Sequence, residues 1–265
     1  KVGSALLVDG ATGRLNRAGL DSLTADLVWL RERGQEVILV SSGAIATGMP
    51  YLKLDGRPSD LATQQAAAAV GQNVLIFRYQ ESLDRYRIVA GQVLLTAGDL
   101  ENPAHRSNAQ RAMERLLSLR ILPIVNENDT VATHEIRFGD NDRLAALVSQ
   151  LVGADLLLLL SDVDALYTKP PEDAGAERIV NVEFGDSLER VEFGGIGSTG
   201  VGTGGARTKV SAAKLAASSG TPVLLTSTDL VGEALAGEQL GTWFAADSAP
   251  SQHVHDRLVK ALATE

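Results

Sequence analysis

The sequence of 265 residues contains no cysteine. That absence excludes zinc ribbons, iron–sulfur clusters, thiol nucleophiles and disulfide scaffolds together, and it fits a reducing compartment. A chain of this length buries a core large enough to need no such staple. Basic residues are also in deficit: 24 Lys+Arg stand against 33 Asp+Glu, for a net charge of −9 and a pI near 5.0. A general nucleic-acid binder needs a basic face, so that class is excluded. Long hydrophobic runs are lacking as well. No purely apolar run exceeds five residues, the length of Leu156 to Leu160, whereas a membrane span needs roughly 20. No basic-then-apolar opening marks a signal peptide, which points to a cytoplasmic protein without membrane partners. The chain opens on Lys1 rather than Met, so residues preceding it are expected. What is present, 45% hydrophobic and 22% charged residues, is the balance of a folded globular protein.

Short β-rich runs alternate with longer helical ones. Glu36 to Val40, Ile88 to Leu95, Ile121 to Val125, Leu156 to Leu160 and Pro222 to Leu225 read as strands. Leu20, Leu23, Leu27 and Leu30 keep the spacing of one helix face, with Gly34 as the stop. Ser59 to Arg85, Asn108 to Leu119, Asn141 to Leu151 and Thr208 to Ser219 read as further helices. Such alternation predicts a three-layer α-β-α sandwich with an open, mainly parallel sheet. Lys169 to Ala176 reads as an exposed loop, and His253 to Glu265 as a polar helix or tail. No linker divides the chain, so a single domain over 1–265 with two lobes, about 1–150 and about 151–265, is expected.

The polar clusters fall where strands end, which is where ligands sit on parallel sheets. Ser41-Ser-Gly-Ala44 follows one strand, Asn126-Glu-Asn-Asp129 another, and Ser161-Asp162 a third. Gly194 to Gly205 holds seven glycines in twelve residues and runs through Ala206-Arg-Thr-Lys209 into a helix. Glycines let backbone N–H groups approach an anion, the helix start adds partial positive charge, and Lys209 adds a full one. This is a phosphate site in physical terms; its bland alternative is a surface loop. A Walker loop is excluded because no Gly-Lys pair exists. The formal dinucleotide fingerprint at Gly195 to Gly200 lacks a preceding strand and a following acid, and is set aside. His134-Glu135 begins a zincin-like pattern, but Phe138 stands where the second histidine is needed. Asp140 and Asp142 precede a helix starting near Arg143 and could be caps, ligand contacts or both. Ser161-Asp162-Val-Asp164 could be a turn or a metal site, with the turn favoured.

Lys1-Val-Gly-Ser4, Ser41 to Gly48, Asn126 to Thr133, Gly139-Asp-Asn-Asp142 and Gly202 to Lys209 together resemble the glutamate 5-kinase family, a branch of the amino-acid kinases, over nearly the whole chain. The resemblance implies phosphoryl transfer from ATP, carried with Mg²⁺, to the γ-carboxylate of L-glutamate, the first step of proline biosynthesis. It implies an N-terminal glutamate lobe and a C-terminal nucleotide lobe. By resemblance, Lys1 and Lys209 flank the transferred group and Asp142 holds them. Gly3, Ser161, Asp162 and the run Thr203, Gly204, Gly205, Ala206, Arg207, Thr208 and Lys209 line the ATP, along with Lys1. Ser42, Gly43, Ala44, Asn126, Asp129, Asp140 and Asn141 hold the glutamate. A buried carboxylate at Asp129 would pair with the substrate ammonium and discriminate against N-acetylglutamate. Mg²⁺ travels on the ATP phosphates, with no metal site of the protein's own. Homo-oligomers (dimer or tetramer) and feedback inhibition by proline are family traits. Many members carry a C-terminal PUA domain; this chain is expected to be a short form without one.

Two alternatives stay open. Another branch of the same family, such as N-acetylglutamate or uridylate kinases, shares the lysines and the glycine loop but is not similar at Asn126 to Thr133. A non-catalytic amino-acid or nucleotide sensor would have no need of Lys1, Lys209 and Asp142.

Overall fold

A computed structural model describes residues 1–9, 14–132, 141–193 and 205–247. Two compact units partition the chain: Val2–Leu144 forms one, and Lys1 with 145–265 forms the other. The expected tail at 253–265 lies outside the described residues.

The unit Val2–Leu144 starts with the single turn α1 (Ser4–Leu7) and the helix α2 (Arg17–Glu32). Asn16 caps α2 by accepting the Gly19 N–H at 3.1 Å. Leu20, Leu23 and Leu27 are buried on its inner face. Gly34 ends it at φ +78°, a conformation that favours glycine. Next come β1 (Leu39–Val40), α3 (Ala44–Gly48), α4 (Leu61–Asp84, capped by Asp60) and β2 (Ala90–Leu95). The unit's last strand follows α5 (Ala97–Glu101) and α6 (Pro103–Ser118), and is β3 (Leu122–Glu127). The three strands form a wholly parallel sheet in the order β1-β3-β2. Leu7, Leu75, Tyr79, Leu83, Met113, Leu122 and Ile124 are fully buried in this unit, each large apolar side chain contributing roughly 1.5–3 kcal/mol.

Two elements depart from expectation for local reasons. The strand expected over 36–40 is a ladder only at Leu39 and Val40, which pair with Ile124 and Val125. Leu122 donates its N–H to Val89 O and Val125 accepts from Ser41 N–H. Alternate residues of a strand face opposite edges, so residue 123 faces β1. It is Pro123, with no N–H to donate, and β1 pairs only beyond it. The helix expected from Asn108 starts at Pro103 instead. Asn102 accepts the Ala104 and His105 N–H groups, and Pro103 occupies the first helical position, a start signal that apolar periodicity does not carry.

The other unit takes up α7 (Asn141–Val152) after its first turn and continues with β4 (Leu157–Ser161), the hairpin β5 (Leu166–Tyr167) and β6 (Arg178–Ile179), and β7 (Asn181–Val182). The loop expected at 169–176 joins β5 to β6. Then follow α8 (Ala206–Ser218), β8 (Val223–Ser227), α9 (Val231–Leu235) and β9 (Thr242–Phe244). The sheet order is β4-β8-β9-β7, parallel except for the β8–β9 step. Helix α8 packs on β4, β8 and β9 through Ala212, Ala213, Ala216 and Ala217, all buried; small side chains allow that close approach. Among the described residues, the expected mainly parallel α/β architecture is thus realised as a three-stranded sheet in one unit and a four-stranded sheet, beside the β5–β6 hairpin, in the other.

Candidate active site

In the unit Val2–Leu144 the functional candidates gather at the carboxyl ends of β1 and β3. The Val2 N–H donates to Val40 O at 2.9 Å, which sets Gly3, ahead of α1, beside the end of β1. The chain then turns through Ser41, Ser42 and Gly43. Gly43 has φ +90°, and α3 starts at Ala44. Helix α4 crosses α3 at a spacing only glycine permits: a Cβ on Gly48 would lie 1.9 Å from Ala67 O, and one on Gly71 1.8 Å from Ala44 O. That approach carries the next residue of α4, Gln72, to the end of β3.

A buried network of neutral side chains results. Asn141, first residue of α7, donates from Nδ2 to Ser41 O (2.9 Å), Ser42 Oγ (3.1 Å) and Asn126 Oδ1 (3.0 Å). Asn126 is 1% exposed; its Oδ1 also accepts the Glu127 N–H at 2.9 Å and its Nδ2 donates to Gln72 Oε1 at 2.7 Å. Ser41 Oγ and the buried Tyr79 hydroxyl share a hydrogen bond of 3.0 Å. Burial pushes the Tyr79 phenol well above its usual range, against a smaller opposing effect of the Ser41 bond, so it stays protonated. The acceptor Asn141 Oδ1 is buried and has no hydrogen-bond partner among the described residues. A buried acceptor without a partner is costly unless a ligand or an ordered water supplies the donor.

The structure thus brings Gly3, Ser42, Gly43, Ala44, Asn126 and Asn141 to one sheet edge. Asp129 is placed in the turn after β3, where the Val131 and Ala132 N–H groups bond to Asn128 O. It is half-buried rather than buried, because the chain has already left the sheet edge there; the expectation of a buried carboxylate is corrected. Asp142 is fully buried in the first turn of α7. The helix begins at Asn141 rather than near Arg143, so Asn141 and Asp142 belong to it. Asp140 lies outside the described residues. Sequence reasoning missed Gln72, Tyr79 and the buried Glu127 as individual site residues. For the first two a signal exists: both fall on the buried α4 stripe with Ala68, Leu75 and Leu83, and a polar group on an apolar stripe asks for a partner.

In the other unit, Lys1 lies along β4, its nitrogen donating to Leu158 O at 2.6 Å and its carbonyl accepting from Leu160 N–H at 2.9 Å. At the end of β4, Ser161 Oγ donates to Asp162 Oδ1 at 3.1 Å and accepts the Val163 N–H at 3.3 Å, and the chain bends over 162–165. Asp164 accepts the Tyr167 hydroxyl at 3.0 Å. Burial, the Asp164 hydrogen bond and its charge push that phenol up, slightly opposed by Arg178. Helix α8 starts at Ala206 behind Gly205, whose carbonyl accepts from Thr208 Oγ1 at 2.9 Å. Lys209 is 8% exposed, and Arg207 lies 5.1 Å from the Phe193 ring centre. Thr203 and Gly204, with the rest of 194–204, lie outside the described residues. The opening of α8 carries Arg207 and Lys209 and no acid. Cations there oppose the helix dipole by about 0.3–1 kcal/mol each.

Among the described residues, no group of three or more His, Asp or Glu side chains could hold a metal ion, and no helix is long and apolar enough to cross a membrane.

A family model described as the amino acid kinase family matches residues 1–227. A protein named glutamate 5-kinase from Clavibacter michiganensis is 72% identical to this chain over 92% of each. Another of that name from Leifsonia xyli is 68% identical over 95% of this chain and 93% of its own. Carbamate kinase from Giardia lamblia bound to AMP-PNP aligns at a TM-score of 0.62 with 16% identity, over 88% of this chain and 90% of its own; at that identity the likeness concerns the fold. With two mainly parallel sheets, polar residues at the carboxyl strand ends and a family match across most of its length, this chain belongs to the amino acid kinase family.

Proposed function

We infer that this chain is a kinase that transfers the γ-phosphoryl group of ATP to the side-chain carboxylate of L-glutamate, the reaction that opens proline biosynthesis. Relatives of that name at 72% and 68% identity over nearly the whole chain support the reading. The geometry that carries it is the Asn141 carboxamide, pinned through Nδ2 and presenting Oδ1 as a buried acceptor without a partner among the described residues. A free α-ammonium supplies the missing donor.

The roles follow from charge. A glutamate carboxylate oxygen attacks the γ-phosphorus, an O–P bond forms, the bond to the bridging oxygen breaks, and ADP leaves with the electron pair. Two anions meet in this step, so catalysis is mostly positioning and neutralisation. Lys1 and Lys209 are assigned to the transferred group and Asp142 to holding them. Ser42, Gly43, Ala44, Asn126, Asp129, Asp140 and Asn141 are assigned to glutamate. Gly3, Ser161, Asp162 and Thr203 to Lys209 are assigned to the nucleotide, whose Mg²⁺ would offset its phosphate charge. The division of the chain near Leu144 supports a glutamate lobe over about 1–150 and a nucleotide lobe beyond it. A cytoplasmic location, a homo-oligomer and inhibition by proline complete the proposal.

The test is ATP consumption with L-glutamate and Mg²⁺, trapping the acyl phosphate with hydroxylamine, beside N-acetylglutamate, aspartate and UMP. Hydroxamate from glutamate is the expected result. Turnover only with another acceptor would keep the fold and overturn the substrate.

A further inference from the structure

We propose that Gln72 of α4 is a positioning residue that selects for a free amino group on the substrate, acting through Asn126 on Asn141; the inference rests on the glutamate reading above. The path is continuous. Gln72 is 8% exposed, and its Oε1 accepts Asn126 Nδ2 at 2.7 Å. That bond holds the Asn126 carboxamide with Oδ1 turned toward Glu127 N–H and Asn141 Nδ2. Asn141 must then turn Nδ2 inward, its two protons shared among the three acceptors, so its Oδ1 is directed away from them as an acceptor. An ammonium donates to such an acceptor with spare protons. An N-acylated amine offers one amide proton and a bulky carbonyl, and meets the same oxygen poorly. Gln72 touches neither reacting atom; it decides which end of an amide faces the substrate.

Its placement depends on backbone geometry. Gly71 brings α4 against the Ala44 carbonyl, and Gln72 follows directly, as a polar residue on a stripe that otherwise buries Ala68, Leu75, Tyr79 and Leu83. Removing its acceptor strands the Asn126 Nδ2 donor at a site 1% exposed, and that carboxamide regains a reason to rotate.

Two variants test this. Gln72→Leu removes the acceptor at similar volume, and Gln72→Glu keeps an oxygen in place. For Gln72→Leu the expected result is a KM for glutamate raised about tenfold or more, the yield expected when a buried polar partner is lost. The KM for ATP stays within about twofold, and preference for glutamate over N-acetylglutamate falls by a similar factor to the glutamate effect. Gln72→Glu restores most of the loss. A general loosening of the fold would instead raise both KM values together, and that result, or an unchanged KM for glutamate, overturns the proposal. Hydrogen exchange of the Asn126 and Asn141 side-chain amides is read in parallel. It is slow in the unmodified chain, fast in Gln72→Leu and slow again in Gln72→Glu; equal rates in all three would also overturn it. This readout needs no substrate. If the unmodified chain forms no hydroxamate from glutamate, the exchange rates still decide whether Gln72 orients the pair, while the substrate reading fails separately.

Discussion

The carboxyl strand ends of the two units use opposite chemistry. In the unit Val2–Leu144 a dense net of neutral groups stands beside the buried Glu127 and Asp142: Ser41, Ser42, Asn126, Asn141, Gln72 and Tyr79 are joined by hydrogen bonds of 2.7–3.1 Å. In the other unit the corresponding elements present charge. Lys1 runs along β4, and α8 opens with Arg207 and Lys209 without an acid. A fixed neutral net recognises shape and donor direction, because each amide offers one donor end and one acceptor end. A concentration of cations recognises an anion of nearly any shape and suits a group whose charge spreads during transfer. On the proposed reading, the first unit chooses the substrate and the second neutralises the transferred group.

The largest expected effect breaks the neutralising side. Lys209→Ala lowers turnover by about 100-fold or more while glutamate saturation stays nearly unchanged; steady-state kinetics with each substrate varied decides it. Turnover like that of the unmodified chain would remove Lys209 from the mechanism. On the choosing side, Gly71→Ala drives a Cβ to 1.8 Å from the Ala44 carbonyl. It should cost about 3 kcal/mol of stability, visible as a lower denaturant midpoint. A midpoint within error of the original would show that α3 and α4 can separate freely. Asp129→Asn sharpens the contrast. A half-buried carboxylate is worth less than a buried one, so the KM for glutamate should rise only about tenfold, between the ranges for exposed and buried pairs. An unchanged value would remove Asp129 from substrate binding.

The smallest effect separates the stability of the first unit from its selectivity. Burial lifts the Asp26 carboxyl of α2 from 3.8 to about 6. Its folded pKa lies above the unfolded one, so the folded state binds the extra proton between those values and stability falls as pH rises from about 4 to 6. Asp26→Asn should therefore add about 1 kcal/mol at pH 7, after discounting for the solvent that reaches a half-exposed group, and flatten the pH profile of unfolding. Its KM for glutamate should not move. A steeper profile in the variant would contradict the burial argument.

Much of this was legible in the chain itself. The helices over 61–84 and 141–152 and the strands ending near Val125 and Leu160 follow from apolar spacing, and the polar clusters were found because they sit just past those strands. What escaped was set by partners distant in sequence. β1 is short because Pro123 of its neighbour has no N–H to give. The α6 start was missed because a cap and a proline, rather than periodicity, define it. Gln72 and Tyr79 stand 54 and 38 residues from the groups they bond, and no local pattern joins them.

Composition and spacing by themselves determined that this chain is an α/β protein without thiol chemistry, with a glycine-rich run and Lys209 at the start of a helix and neutral amides at a strand end. Those properties depend on residue type and on neighbours within a few positions. Only the tertiary structure decided that Asp129 is half-buried, that Gln72 bonds Asn126, and that the Asn141 acceptor oxygen has no partner among the described residues. Burial and amide orientation are set by which helix can approach which strand, and here that approach is permitted by Gly48 and Gly71, where a single added carbon would meet a carbonyl oxygen.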